Sequence, residues 1–560
     1  MMQNRKKHKV LNALKDLKVL NVVVLIATAV AAQAQETIGS YRLSDATQLW
    51  RLTDNAAGLG IDTTRNRGYA QIGVEHHSGD YHRVQEAQRA NQLRFYTERY
   101  QKVGKYLYGY GKFNFDYGRM NDRAWCDVQR AYNADPYFSG SAIKGKYDFQ
   151  NFNFTAALAS VKIKNHWNFG MKLDYNVGDL SRLRDPRPRS LTLDYKITPA
   201  VTYSFGRNTF GLSGNYHRRK EKISGVETIQ TEATITYYDM TGMEHALGTV
   251  SGYSGYKREW VDHRFGAEIT YGYNNRETIN NNRGYNLLVA ASIERGAEDV
   301  LGQYKRQYGE YVDYKYGLTV MNRIRSGSLL HEADIKVGYE QAYADEYKQK
   351  YYSENNDEKQ VRTFQYTVRR ADGTLETRDS TIIKTMPYTS LYYETQMILK
   401  KRYQVKVFDL DLHYRLNFLD ESTSLTSYVG LRFAMQEVSN KYLLPTSTLR
   451  YNRFDTTLEG GGSLLKGRLW IDGALTYRGI GKARQSLDDP TTDYAVQVLI
   501  PDMDYYGAKF FKGSLAVTYN FPIRIKGKTT SWYVRANGDW LKTNTHHHAA
   551  SAALTLGMFN

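Results

Sequence analysis

Cysteine is all but missing from this sequence: Cys126 is the one such residue in 560. A single cysteine excludes an intramolecular disulfide framework and any cysteine-based metal cluster. No Pro/Ser-rich hinge and no sharp change of composition divides the chain. The same texture runs from about residue 67 to the end, which points to one large domain. After the first 34 residues there is no apolar run long enough to span a bilayer as a helix. No G-x-S-x-G nucleophile elbow stands at a strand-to-helix turn, and no histidine spacing matches a fixed metal-ligand motif. Apolar residues make up 41% of the chain, which is low for a globular protein.

The first 34 residues are different. Arg5, Lys6, Lys7, Lys9, Lys15 and Lys18 form a basic start, and Leu20 to Ala32 is nearly all apolar. Ala32-Gln33-Ala34 fits a small-x-small cleavage site, so residues 1–34 read as a secretory signal and Gln35 as the first mature residue. That segment holds six Lys/Arg and Asp16, which account for +5 of the formal charge of +18 and leave +13 for the rest. An exported chain has no use for nucleic acid. Basic charge on it suits anionic lipid headgroups, anionic solutes, or a plain solvated surface.

What the chain has in abundance is tyrosine, 48 residues, together with 45 glycines and long runs of strict alternation. Trp167, Phe169, Met171, Leu173, Tyr175 and Val177 alternate with Asn168, Gly170, Lys172, Asp174 and Asn176. Phe408, Leu410, Leu412, Tyr414, Leu416 and Phe418 do the same against Asp409, Asp411, His413, Arg415 and Asn417. Period two places one set on each side of a strand. Many apolar faces begin and end in Tyr, Trp or Phe, the girdle expected where lipid tails meet headgroups. Glycines recur on the polar face and suit a curved, closely packed wall.

These patterns predict an all-β protein, a single transmembrane antiparallel up-and-down β-barrel of about 18 strands spread over residues 67–560. Counts of 14 or 16 also fit, because 390–402 and Gly460-Gly461-Gly462 are the weakest segments. Short connections, as near 102–104 and 204–207, alternate with long ones near 119–147, 219–261, 345–402 and 480–507. Barrels of this type keep short turns in the periplasm and long loops outside, which fixes the sidedness. Within 345–402, Ala371-Asp372-Gly373 reads as a turn, so a small structured flap is expected there.

Ahead of the first strand stand Leu49-Trp50 and then Asn55-Ala56-Ala57-Gly58-Leu59-Gly60. This element resembles the Asn-Pro-Ala-Gly-Leu segment of long-chain fatty-acid-transporter-like barrels. With its Tyr-rich strands, the mature chain resembles an uncharacterised family of outer-membrane barrels from Bacteroidota. The resemblance implies an outer-membrane location, and implies that residues 35–66 either plug the lumen or lie in the periplasm. A TonB-dependent receptor would carry a large plug before its first strand. About thirty mature residues are expected there, so the chain reads as a barrel that could work beside such a receptor or a surface lipoprotein.

Two groups of residues are candidate sites. Barrel closure pairs the first strand with the last. It should bring the loop holding Glu75, His76, His77, Asp80 and His82 beside the loop holding His546, His547 and His548. Imidazoles with carboxylates suit a transition metal, and axial histidines suit haem; solvated loop residues are the plainer reading, and no cofactor is assigned. The inward faces are expected to carry Lys172, Asp174, Asp194, Lys196, Asp313, Lys315, Asp409, Asp411, Arg415, Arg432, Asp472 and Arg535. Those charges either line a polar channel or bridge the wall. Trp470, Tyr428 and Tyr533 share the same faces. His76, Ser78 and Asp80 lie close in sequence, but nothing orders them as a catalytic set, so no enzymatic activity is expected. The expected role is a channel or transport component for a small solute, or a non-conducting accessory barrel at the cell surface.

Overall fold

The computed structural model describes residues 38–559 except 63–65, 130–134, 225, 227–235, 250–255, 276–282, 303–304, 421–423 and 526–527. The expected signal sequence, residues 1–34, lies outside the described residues.

Alternation is obeyed throughout. Eighteen antiparallel strands form one closed sheet, and each neighbour in sequence is a neighbour in space. The first strand, Arg67–Gly79, pairs with the second, Arg89–Val103, and with the last, His548–Phe559. That last ladder runs from Tyr69↔Phe559 to Gly79↔Ala549 and leaves no edge in the wall. In hydrocarbon an unpaired backbone amide costs several kcal/mol, so closure is what lets a sheet cross a bilayer at all.

The outward face is apolar. Strand Phe510–Ile525 shows the pattern: Phe511, Leu515 and Tyr519 face out and are well exposed, with Val517 between them. The inward set of the same strand includes the buried Thr518 and Asn520. Strand Trp167–Arg182 presents Trp167, Phe169 and Met171 outward in the same way. Aromatic residues therefore stand at the ends of the apolar band and aliphatic ones at its middle.

The strand count of eighteen includes both of the weakest segments. Gly460–Gly462 lie inside strand Ser447–Leu464, and 390–402 inside strand Leu375–Asp420. The connections near 104–106 and 206–207 are tight turns at one end, with Gly104 and Gly206 at positive φ. At the other end, the connections are not all long. Residues 183–188, 302–306 and 443–446 link their strands briefly, and prolines 186, 188 and 445 restrict the chain in two of them.

The segment 345–402 also differs from expectation. The expected hairpin is there, but it is longer than a small flap and belongs to the wall strands. Strands Leu329–Arg369 and Leu375–Asp420 continue beyond the wall as one two-stranded ribbon, after a bulge at the rim where Ala344 pairs with Tyr403 and Glu346 with Leu399. The turn at its tip is the one read in the sequence: Gly373, at φ +88°, donates its N–H to the Arg370 carbonyl at 2.9 Å. From Glu346 to Arg369 the ribbon extends about 80 Å at about 3.3 Å per residue. Alternation of side chains continues along it, which is why ladder pairing persists after the wall ends.

Placing a guanidinium at the centre of the apolar band should be costly. Leu515→Arg is expected to lose about 2–4 kcal/mol of stability in lipid vesicles. Ser514→Arg, beside it on the inward face and not buried, has no lipid penalty. Denaturant unfolding of the two variants checks this, and equal losses would contradict the assigned faces.

Candidate functional site

The interior is occupied by residues 38–62 from the end that carries the tight turns near 104–106 and 206–207. Helix α1, Ile38–Thr47, is followed by short turns Trp50–Leu52 and Ala56–Gly60. Asn55 starts the second turn by accepting the Ala57 N–H on its side chain at 3.1 Å, and its amide donates to the Val201 carbonyl. Polar contacts then fasten the segment to opposite walls. Arg42 forms a two-bond pair with Asp472 at 2.7 Å. Asp54 receives Lys172 at 2.9 Å and Lys196 at 2.6 Å. Arg67 and Arg51 both bind Asp45. The Ala46 carbonyl accepts from Arg323, and the Thr47 carbonyl from Asn286.

Inner-wall glycines make the fit. A Cβ on Gly170 would lie 2.3 Å from the Ala57 nitrogen, and one on Gly272 would lie 2.8 Å from the Trp50 ring. The same faces that read as merely polar in the sequence are therefore contoured for this segment. Burial would raise the Asp54 carboxyl, but Lys172 and Lys196 outweigh it and hold it down at about 2.

The opposite end is closed by loops. Residues 124–129 and 135–144 turn inward, and Ser139–Gly140 joins Tyr238–Gly242 and His245–Thr249 in a small three-stranded sheet. Trp125 is fully buried between Tyr238 and Tyr494. Gln85 bridges the Trp125 carbonyl and the Tyr494 hydroxyl. The π-turn Ala495–Leu499 and helix α2, Ile500–Gly507, complete this cap. Tyr506 stacks on Tyr451 of the wall at 4.4 Å, and Asp502 accepts the Val84 N–H at 2.9 Å. Burial pushes the Asp502 carboxyl up to about 7, despite the Val84 amide and Arg83 acting the other way.

Beneath the cap lies a chamber of about 470 Å³. Tyr403, Asp409, Gln436 and Arg453 come from the wall, and Asp135 and Tyr506 from the cap. A second space of about 690 Å³ lies against the Arg432 and Arg478 part of the wall. Arg432 pairs with Asp411 yet its side chain is 52% exposed while facing inward, so this half of the lumen is hollow.

The candidate lumen residues fall into these surroundings. Lys172, Asp174 and Lys196 gather around Asp54. Asp194 meets His217 at 2.9 Å. Asp313 holds Arg264 at 2.8 Å and Lys315 at 3.1 Å. Asp409 accepts from Gln436, and Arg415 binds Glu459. Asp472 takes Arg42, with Trp470 and Tyr428 donating to the same carboxylate. Arg535 shares the inner face with the buried Tyr533, which donates to Gln71. Most of these charges are paired across the wall or to the segment.

The histidines are only partly brought together. Asp80 accepts the His548 N–H at 2.6 Å and lies 3.3 and 3.2 Å from the His547 and His548 rings. His76 instead contacts Asn91 on the outer wall, His82 the Arg83 carbonyl, and His77 the hollow half of the lumen. His546 occupies the turn at positive φ. Among the described residues no group of three or more His, Cys, Asp or Glu side chains is arranged to hold a metal ion.

Sequence patterning missed the cap. Trp125 lies in an irregular segment, and Tyr494 and Asp502 in short helical turns within a long connection, where no strand period marks a face. Their one signal was aromatic content in long polar loops.

A family model covers residues 56–560 and matches the sequence. The chain belongs to the family of unknown function DUF6850. No curated protein matches it. Several solved barrels are similar in outline only. The FrpB iron transporter from Neisseria meningitidis is 10% identical, with TM-score 0.36 over 91% of this chain and 83% of that one. The ferric-catecholate import receptor Fiu from E. coli K12 is 7% identical, with TM-score 0.35 over 88% and 81%. The outer-membrane transporter YddB from Escherichia coli is 9% identical, with TM-score 0.38 over 88% and 80%.

Asp502 makes docking of the cap pH-dependent. Its carboxyl has a higher pKa when docked than when free, so the docked state binds more protons between about 4 and 7. Docking therefore weakens as pH rises across that window and levels off above it. Limited proteolysis of residues 487–509 should quicken several-fold from pH 5 to pH 8. Asp502→Asn should flatten the profile; an unchanged slope would count against this role.

Proposed function

We propose that this protein is an outer-membrane transport barrel for a small polar solute, held closed by two gates. The observation that carries the reading is the chamber of about 470 Å³ between the cap and the wall, with open lumen beside it. Its volume lies in the range of roughly 300–1,000 Å³ usual for small-molecule sites. Tyrosine rings with carboxylates, amides and arginines suit a solute carrying several hydrogen-bonding groups. The periplasmic segment is fastened by ion pairs, which can exchange for water at low cost once one partner moves. The cap is fastened by aromatic stacking and buried hydrogen bonds, which resist opening until something binds. Location in the outer membrane is supported by the closed sheet, the apolar outward band and the aromatic girdles.

A second reading is an accessory barrel without conductance, working beside a receptor or a surface lipoprotein. The exposed ribbon favours it, since a pore has no use for such a projection.

Planar-bilayer recording separates the two. Wild type should be closed. Trp125→Ala with Asp502→Lys should loosen only the cap, and Arg42→Ala with Asp54→Ala only the periplasmic segment; each pair alone should leave conductance low. All four substitutions together should raise it at least tenfold. A wide pore in wild type, or silence in the fourfold variant, would overturn the two-gate reading.

A further inference from the structure

The ribbon poses a physical problem that the barrel does not. A two-stranded hairpin is marginally stable alone in water, and both its edges present unpaired backbone groups. One face also carries an apolar stripe. Tyr352, Phe364, Tyr366, Ile382, Met386 and Tyr388 share it by register, and Phe364 and Ile382 are 46% and 55% exposed. Charges on the first strand look at first like a guard against edge pairing. Within the ribbon they have little to do. Glu354 stands opposite Ser390, Asp357 opposite Pro387, Lys359 opposite Thr385 and Arg362 opposite Ile382. All four are exposed, and no ion pair within the chain uses them among the described residues.

The order of these charges is the telling feature. Around Glu358 the charges within residues 352–364 mirror one another with the sign reversed. Asp357 and Lys359 flank it, then Glu354 and Arg362 at equal distance, with Tyr352 and Phe364 beyond them. We infer that the free edge of 347–369 pairs antiparallel with the same edge of a second copy, in a register centred on Glu358.

In that register Glu354 faces Arg362 of the second copy, Asp357 faces its Lys359, and Tyr352 faces its Phe364. Twofold symmetry repeats each contact. Opposed charges and aromatic pairs are favourable cross-strand neighbours. Glu358 meets its own copy and is the one like pair. A slip of one residue puts Asp357 against Glu358 in one direction; in the other it sets Glu358 against Lys359 but also Lys348 against Arg369, and it loses the Glu354–Arg362 and Asp357–Lys359 pairs. It also turns the apolar stripes to opposite faces. The charges thus select one register, and the two stripes become continuous over a four-stranded sheet. Antiparallel pairing sets the two barrels at opposite ends of the joined ribbon, so the second copy stands on an apposed membrane. This inference is independent of the chamber and of conductance.

The test uses full-length protein in detergent, with mass from light scattering. Wild type is expected at twice the chain mass. Glu354→Arg alone and Arg362→Glu alone should each be monomeric, because each opposes like charges twice. Mixed, they should form a heterodimer, since positions 354 and 362 then carry opposite charges in both cross-edge pairs. The Glu354→Arg/Arg362→Glu double variant should again pair with itself. Glu358→Cys should give an interchain disulfide on mild oxidation, and Lys348→Cys should not. Vesicles carrying wild type should cluster, as should a mixture of the two single-variant vesicle populations. Unboiled gel mobility confirms that each barrel is folded. A monomeric wild type, single variants that dimerise as well as wild type, or a mixture that stays monomeric would each overturn the pairing. Dimers in detergent without vesicle clustering would overturn the apposed arrangement.

Discussion

Everything in this molecule depends on one ladder, the pairing of Arg67–Gly79 with His548–Phe559. It joins residues nearly five hundred positions apart, and without it the wall would end in two edges within the membrane. Because the ladder removes both edges, the sheet can be hydrophobic outside and charged inside. That division forces the rest. Charges that face a confined interior must find partners, and the pairs Lys172–Asp54, Arg264–Asp313 and Arg415–Glu459 are the result. At the outer rim the same closure seats His547 and His548 on Asp80, so the seam is fastened beyond the membrane as well.

The lumen is unevenly filled. Toward strands between residues 145 and 301, glycines recede and residues 49–62 occupy the space, with Trp50 lying over Gly272. Toward strands between 424 and 543 the interior is open and lined by arginine–aspartate pairs such as Arg478–Asp455. A route through the barrel would therefore run off-axis along the hollow half. The cap lies over that half too, through helix α2 and its stacking of Tyr506 on Tyr451.

Much of this was legible in the sequence for a clear reason. A strand that divides lipid from water writes its geometry as period two, so strand positions, faces and the inward charges could be read residue by residue. The turn at Ala371-Asp372-Gly373 was readable because glycine is needed at positive φ. The partners of the inward charges were not readable. Asp54 and Arg42 lie in a segment without a period, and nothing in their spacing names Lys196 or Asp472. The cap was hidden for the same reason. At 345–402 the hairpin about Ala371-Asp372-Gly373 was readable, but not that its strands run on into the wall strands. Local alternation continues there, but it no longer separates lipid from lumen. The histidines show a related limit: closure predicts which loops meet, but ring direction depends on side-chain partners such as Asn91 for His76.

The ribbon is continuous in chain with two adjacent wall strands, offset from them at the rim by a bulge between Ala344–Tyr347 and Leu399–Tyr403. Its mechanical meaning follows from that. Tension applied at the tip passes down the strand axes into the barrel and acts along the wall ladders as shear. Loaded that way, many hydrogen bonds with Gln307–Ser326 and Ser424–Tyr442 share the force at once, whereas peeling would break them singly. The molecule is built so that a pull from outside is carried by its strongest part.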